Sequence, residues 1–329
     1  MALLWIDGFE GYGGVGTASG VAARGYAYVG NSPNIAAGRL YGYCYWCNIT
    51  YNINLTTPIL TTDGTLIAGM AVNTAASGMA FYYNRTQGPN ISLTSTSLVT
   101  KLGGTTLDTN TSFTLSSPWY YVEMKCVCHP TNGSIEVRIN GVTITSLTGI
   151  NTQTGTEAYY NIVKTYGGST TRIDDFYVCD STGTTCNDFL GVCKIAAIFP
   201  NSDTSTVQWT PSTGITHYNL VDENPANSAT DYVSSSTQAE VDMYGYPSLV
   251  GDSTILGIQI STQAIIASGS SVLIETPILS NSITEVDDGV QLSSTSYVDR
   301  RRISTIDPGT GTAWTVSSLA AAKIGIKVM

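Results

Sequence analysis

The residues of this chain best suited to metal chemistry are its seven cysteines and two histidines. The motifs Cys44-x-x-Cys47 and Cys126-x-Cys128-His129 bring together thiolate and imidazole groups, which are the ligands that zinc prefers. Both motifs lie in stretches with the alternation of a strand, so the first pair of cysteines falls on opposite faces and the second pair shares the apolar face. Because cysteine is a frequent core residue, we predict buried thiols, with no metal and no other cofactor.

Tyrosine is the second unusual residue type, with 20 copies against 6 phenylalanines. Its ring is flat and apolar with a polar tip, which suits both stacking on a sugar and packing in a protein interface. The candidates are Tyr41, Tyr43 and Tyr45, which alternate along one predicted strand, and the adjacent residues Tyr82 and Tyr83 on another. We favour a subunit interface for these residues and keep sugar stacking as the alternative.

The acidic residues do not form a pattern typical of catalysis. A glycosidase needs two carboxyl groups that flank the scissile bond, but Glu123 and Glu136 lie on separate predicted strands, and a Glu-x-Asp-x-x-Glu signature is absent. The Gly-x-Ser-x-Gly motif of serine hydrolases is absent as well, and His129 and His217 are the only histidines. We predict that the protein is not an enzyme.

The elements that carry these residues are predicted to be β-strands. Residues 119–128 and 135–139 alternate between apolar and polar side chains, as strands with one buried face do. Asn132-Gly133 and Asn140-Gly141 follow these runs, and Asn-Gly pairs favour the positive φ angles of tight hairpin turns. Residues 172–178 are apolar on both faces, which is typical of an interior strand.

These strands carry a family resemblance. Residues 119–125, 137–141 and 173–178 resemble the concanavalin A/laminin G-like jelly rolls. Trp5-Ile6-Asp7-Gly8-Phe9-Glu10 looks like the first strand of the version found in bacteriophage structural proteins. The resemblance covers about residues 1–195 and implies a sandwich of two sheets. We place the end of this domain at residue 198, within a predicted strand from Val192 to Phe199.

Three aspartates lie in the matched stretches: Asp7, Asp174 and Asp175. Some jelly rolls of this kind bind calcium, so the resemblance allows these carboxylates to hold that ion. The alternative is that each carboxylate accepts hydrogen bonds from backbone N–H groups at a strand end.

The second half, residues 199–329, is again predicted to be β. One helix is expected there, capped by Thr315, running from Val316 to Lys323 and stopped by Gly325. Residues 217–223 and 231–234 look like uncharacterised phage virion proteins. The complete prediction is an all-β chain: a concanavalin A-like jelly-roll sandwich over 1–198, then a smaller β-sandwich with one short helix over 199–329.

Composition restricts the partners. Acidic residues outnumber basic ones by 24 to 14, so the net charge is −10, and a nucleic acid is not expected to bind because its phosphates need a basic surface. No apolar run approaches the roughly 20 residues of a membrane helix, which predicts no membrane partner. Residues 1–5 lack the basic start of a signal peptide. We therefore expect synthesis in the host bacterial cytoplasm.

Together these observations predict a non-enzymatic bacteriophage protein located on the virion. The first hypothesis is a capsid decoration (cement) protein that binds the major capsid protein or other virion proteins. Such a protein is expected to form a closed homo-oligomer, and we suggest a trimer. The alternative is a tail or fibre-associated protein that recognises host surface carbohydrate.

Overall fold

The structure is a computed structural model. It describes residues 2–13, 26–28, 34–40, 42–46, 52–55, 63–73, 79–83, 88–116, 118–156, 160, 163–167, 171–227, 230–251, 254–267, 269, 271–292 and 297–329. At positions 27, 28, 34, 46, 52–55, 79, 80, 82, 164, 166 and 167 it describes the backbone alone. The chain divides into two compact units, unit 1 (Met1–Ala196) and unit 2 (Ala197–Met329). The sequence placed this division between residues 198 and 199.

Within its described residues, unit 1 consists of β-strands and a single turn of 3-10 helix (Glu10–Tyr12). The strands are β1 (Leu3–Asp7), β2 (Tyr26–Tyr28), β3 (Asn34–Ala37), β4 (Tyr43–Trp46), β5 (Asn52–Leu55), β6 (Thr65–Asn73), β7 (Met79–Tyr83), β8 (Pro89–Leu93), β9 (Leu98–Leu102), β10 (Thr105–Asn110), β11 (Tyr120–Val127), β12 (Gly133–Ile139), β13 (Val142–Ile150), β14 (Val163–Gly167) and β15 (Arg172–Cys179).

These strands form two antiparallel sheets. Sheet A has the order β13-β12-β11-β6-β15-β4-β3, and β1 also pairs with β15. Sheet B has the order β10-β9-β8-β7-β14-β5-β2. The chain crosses from one sheet to the other repeatedly, for example from β6 to β7 and from β10 to β11, which is the connectivity of a jelly roll and not of two separate meanders.

One hydrophobic core lies between the two sheets. Sheet A contributes Met70 and Val122, sheet B contributes Phe81 and Ile91, and all of these side chains are fully buried. The alternation predicted for residues 119–128 and 135–139 places the apolar residues of β11 and β12 in this core. Burial of each such side chain contributes about 1.5–3 kcal/mol, so the core provides most of the stability of the sandwich.

The two Asn-Gly pairs have different roles. Asn140 and Gly141 have φ angles of 51° and 79°, as the hairpin between β12 and β13 requires. The turn predicted around Asn132-Gly133 is present between β11 and β12, but neither residue has the positive φ expected of the pair, and Gly133 already pairs with Ile150 within the sheet. A Cβ atom at Gly133 would overlap the Thr152 side chain, so glycine is needed there for close packing.

Unit 2 contains a larger sheet and several short ribbons among its described residues. Its elements are β16 (Ser202–Val207), β17 (Thr210–Pro211), a 3-10 turn (Tyr218–Leu220), β18 (Val233–Ser234), β19 (Val241–Gly245), β20 (Ile258–Ala264), β21 (Val272–Glu275), β22 (Ile278–Ser280), β23 (Ile283–Glu285), β24 (Val290–Leu292), β25 (Val298–Ser304), β26 (Ile306–Asp307), β27 (Thr312–Ala313), α1 (Val316–Ala321) and β28 (Lys323–Val328). The all-β prediction with one short helix is confirmed.

The sheet of unit 2 has the order β16-β19-β28-β21-β24, and β22 and β23 join it through β28. The ribbon of β20 and β25 packs against this sheet, where Ile258 and Ile260 of β20 contact the cluster around Ile278 and Ile324. These layers form the smaller sandwich. The six-residue helix α1 is too short to cross a membrane, and no other described helix is long and apolar enough to do so.

Thr315 caps α1 as predicted, because its hydroxyl accepts a hydrogen bond from Ser318 N at 3.0 Å. The predicted end of the helix was wrong. The helix ends at Ala321, and Gly325 lies inside β28, opposite Met243 of β19. A Cβ at Gly325 would overlap the Asp242 carbonyl, so this glycine allows two strands to approach closely and does not stop a helix.

Candidate functional site

One face of the unit 1 sandwich is closed by its own chain. Residues 180–196, which we call the strap, run over the outer face of sheet A without forming a strand, which corrects the strand predicted from Val192 to Phe199. Leu190 N donates to Tyr177 Oη at 3.1 Å, and Lys125 pairs with Asp188 at 3.0 Å. Ile67, Ala71, Tyr121 and Tyr177 on this outer face are almost completely buried.

Glu123 lies fully buried beneath the strap. Its Oε1 atom accepts hydrogen bonds from Tyr177 Oη at 2.5 Å and from Gly191 N at 2.8 Å. Its Oε2 atom has no hydrogen-bond partner among the described residues. The contacts fasten the strap to β11 and leave the carboxyl group inaccessible to a substrate, so Glu123 is placed as a structural residue.

A second group of carboxyl groups surrounds Arg39 near the end of the strap. Arg39 Nη2 pairs with Asp175 Oδ2 at 2.7 Å, and Arg39 N donates to Asp174 Oδ2 at 2.7 Å. Ile195 N donates to Asp175 Oδ1 at 2.7 Å, which ties the strap to this group. Burial raises the pKa of Asp174 to about 7 and that of Glu10 to about 9, and the neighbouring carboxylates add to both shifts.

Asp7 also uses its oxygens for internal hydrogen bonds. It accepts from Phe9 N at 2.8 Å, from Tyr12 Oη at 2.9 Å and from Tyr26 Oη at 3.0 Å. Within the part of the chain that the structure describes, no group of three or more His, Cys, Asp or Glu residues is arranged to hold a metal ion. The contacts of Asp7, and those of Asp174 with backbone N–H groups, correspond to the capping alternative.

The structure describes six of the seven cysteines, and Cys47 lies outside the described residues. Cys44, Cys126, Cys128 and Cys179 are buried thiols. Burial raises the pKa of Cys44 to about 12, so this thiol is protonated at neutral pH.

The predicted tyrosines do not form one surface. Tyr45 is fully buried with its ring 5.9 Å from that of Phe9, and Tyr83 is fully buried and donates to Met124 O at 2.5 Å. Both rings are therefore core residues of this chain, which corrects their assignment as interface or sugar-stacking residues. Tyr43 is partly exposed, and Tyr41 lies outside the described residues. Period-two alternation could not distinguish the core face from the free face for such an amphipathic residue.

Tyr82 occupies a different environment, the outer face of sheet B. Phe81 and Tyr83 belong to the core, so position 82 between them belongs to the opposite face of β7. Val163 and Thr165 are buried in the same way, which places positions 164 and 166 on the outer face of β14. Strand register extends this face across the sheet. Its positions are Ala27 in β2, Asn52 and Asn54 in β5, Lys164 and Tyr166 in β14, Ala80 and Tyr82 in β7, Asn90 and Ser92 in β8, and Val99 and Lys101 in β9.

This set of positions, which we call the B face, has a distinctive composition. It combines two tyrosines, two lysines, three asparagines and a serine with small apolar residues, and its eleven positions include no Asp or Glu. Ser92, Val99 and Lys101 are partly exposed. The sequence analysis missed Lys101, Lys164 and Tyr166, although the Val-Lys-Thr-Tyr-Gly alternation of β14 was a sufficient signal for the last two.

Unit 2 has a buried polar centre of its own. Asp242 is fully buried and binds the His217 ring, the Tyr244 hydroxyl and two backbone N–H groups. No serine or cysteine contacts His217 in the described structure, so the contacts give no catalytic triad. Arg300 pairs with Asp287.

Among known proteins, the chain matches solved structures only. No family model and no curated protein matches the chain. The carbohydrate recognition domain of Emp46p in its potassium-bound form is 10% identical, covering 52% of this chain and 98% of that one, with a TM-score of 0.36. Peanut lectin with a nine-residue peptide is 8% identical, covering 51% of this chain and 95% of that one, with a TM-score of 0.34. Endo-β-1,4-glucuronan lyase from the fungus Trichoderma reesei is 11% identical, covering 54% of this chain and 90% of that one, with a TM-score of 0.32.

Unit 1 is a concanavalin A-like jelly-roll sandwich. Identities and scores of this size say nothing about what the sandwich does, because the same fold occurs in lectins and in enzymes.

Proposed function

We propose that unit 1 is a non-catalytic carbohydrate-recognition module that binds a glycan across the B face. The observation that carries the proposal is the contrast between the two outer faces of the sandwich. The strap covers the middle of the outer face of sheet A, over β6, β11 and β15, where Tyr121, Glu123 and Tyr177 are buried and hydrogen-bonded internally. On the B face Ser92, Val99 and Lys101 are partly exposed, whereas Asn90 is buried and donates to Gly88 O and Gly103 O. The eleven positions as a set are rich in tyrosine, asparagine and lysine.

The register of the B face suits stacking on sugar rings. Tyr82 of β7 is paired with Lys164 of β14, and Tyr166 is paired with Ala80. Tyr82 and Tyr166 are therefore diagonal neighbours on adjacent strands, roughly 7–8 Å apart. Tyrosine rings offer flat apolar area for stacking on a sugar, and asparagine amides pair with sugar hydroxyls, so the residue types at these positions suit a glycan.

The absence of carboxylates from the eleven B-face positions argues against a hydrolase. Glycoside hydrolysis by the usual routes needs two carboxyl groups on either side of the bond. The buried carboxylates among the described residues of unit 1 are used in contacts with the strap and with backbone N–H groups away from the B face: Glu123, Asp174, Asp175 and Asp180. We therefore propose binding without cleavage.

The experiment is a glycan screen of the full chain, followed by substitution of tyrosines from both sheets. Tyr82→Ala is expected to weaken binding of the glycan by about tenfold or more, because removing an aromatic contact residue costs about 1–2 kcal/mol. Tyr43→Ala, in β4 of sheet A, is the matched control and is expected to leave the affinity unchanged. Equal loss in both variants, or no glycan bound at any concentration tested, would reject the proposal.

The location on a virion stays a prediction from the sequence resemblance. The cement hypothesis relied on interface tyrosines, and two of them, Tyr45 and Tyr83, are core residues. We therefore place the alternative first, a tail or fibre-associated protein that recognises host surface carbohydrate. Mass spectrometry of purified particles distinguishes the two, since a cement protein is present in hundreds of copies and a tail protein in far fewer.

A further inference from the structure

The charge of the B face differs in sign from that of the chain. The protein as a whole carries 24 acidic and 14 basic residues. The eleven positions of the B face hold two lysines and no Asp or Glu. Lys101 is partly exposed and forms no ion pair with any described residue. A positive area on an acidic protein attracts anions, which the acidic remainder of the protein repels.

The two lysines occupy one row that runs across the strands. Lys101 is opposite Asn90, Asn90 is opposite Tyr82, and Tyr82 is opposite Lys164. Adjacent strands are about 4.8 Å apart, so Lys101 and Lys164 lie about 14 Å from each other with Tyr82 between them. The row therefore has a lysine position at each end, with Tyr82 and the buried Asn90 at its two central positions.

We propose that the ligand of the B face is an acidic glycan, one whose rings carry carboxylate or sulfate groups. This inference rests on the proposed carbohydrate recognition and adds the chemical class of the sugar. A chain of sugar rings lying along the row stacks on Tyr82 and presents its anionic groups to Lys101 and Lys164. A neutral glycan keeps the stacking contact but gains nothing from the lysines.

The test compares three glycans of equal length with the full chain by calorimetry. They are a β-1,4-linked glucose hexamer, the glucuronate hexamer with the same linkage, and the sulfated glucose hexamer. We expect at least one acidic hexamer to bind roughly tenfold more tightly than the neutral one at low salt, with the advantage shrinking as salt is added. The difference in affinity between the glucuronate hexamer and the sulfated hexamer identifies which anionic group is recognised.

Lys101→Gln and Lys164→Gln are each expected to weaken binding of the acidic hexamer by roughly threefold and to leave the neutral hexamer unaffected. Lys125→Gln, at the lysine that pairs with Asp188 on the strap side, is the matched control and should change neither affinity. Thermal unfolding of all three variants verifies that each remains folded.

The outcomes separate the inference from the function on which it rests. Equal binding of neutral and acidic hexamers, unaffected by the two substitutions, overturns the acidic specificity and leaves carbohydrate recognition standing. Absence of binding to all three hexamers and to the wider glycan screen overturns both. Tighter binding of a single-stranded DNA than of any glycan also overturns both, because aromatic and lysine residues can bind unstacked bases as well.

Discussion

Asp242→Ala is expected to lower the stability of unit 2 strongly. The carboxylate is fully buried. Its Oδ1 atom accepts from Gln208 N at 2.6 Å and Trp209 N at 2.8 Å. Its Oδ2 atom accepts from His217 Nδ1 at 2.7 Å and Tyr244 Oη at 3.0 Å. Alanine would leave the buried His217 ring and Tyr244 hydroxyl, and two partly buried backbone N–H groups, without their acceptor. Each buried group left so costs about 1–3 kcal/mol.

The expected loss is about 3–5 kcal/mol in the free energy of unfolding of unit 2, since neighbouring groups can partly rearrange. Denaturant unfolding followed by tryptophan fluorescence measures it, because Trp209 and Trp314 report on unit 2. Asp288→Ala, at an exposed position in the same unit, is the control and should change stability by less than about 0.5 kcal/mol. A loss below about 1 kcal/mol for Asp242→Ala would contradict the hydrogen bonding described here.

Glu10→Gln is expected to stabilise unit 1 at alkaline pH and to have no effect in acid. Burial raises the pKa of Glu10 from 4.5 to about 9 and that of Asp174 from 3.8 to about 7. The folded state therefore binds more protons than the unfolded state between these values, and stability falls as the pH rises. For Asp174 this window runs from about pH 4 to 7, and for Glu10 from about pH 4.5 to 9. Glutamine is neutral throughout and removes the Glu10 contribution.

At pH 8 the variant is expected to be more stable than the wild type by about 2 kcal/mol or more, because one pKa unit corresponds to about 1.4 kcal/mol. Denaturant unfolding between pH 4 and pH 9 measures the difference. Glu136→Gln, at a partly exposed carboxylate that pairs with Arg138, is the control and should cost less than about 1 kcal/mol. A difference between Glu10→Gln and wild type that does not grow with pH would contradict the assigned pKa of Glu10.

The parts of the fold that the sequence predicted correctly are those with a clear local pattern. β11 and β12 were predicted because apolar residues alternate with charged ones, and the hairpin turn after β12 because Asn140-Gly141 suits a tight turn. The cap of α1 at Thr315 was also predicted, because the hydroxyl and its backbone partner lie only three residues apart. In each case the physical cause lies within a few residues of sequence.

The errors concern features that depend on distant partners. Gly325 resembled a helix stop, but its role is set by Asp242 on a neighbouring strand. Tyr45 and Tyr83 resembled surface residues because a tyrosine suits both a core and an interface. The B face could be found only after strand register had placed Lys101, on β9, in one row with Lys164, on β14.

The central claim is that the B face of unit 1 is a glycan-binding surface. The most direct measurement is backbone amide chemical-shift mapping by NMR on the full chain, titrated with a glycan from the screen that binds. The account predicts shift changes in β7, β14 and the adjoining strands β8 and β9, with none in the strap or in unit 2. Changes confined to the strap or to unit 2, with β7 and β14 unaffected at saturation, would contradict it.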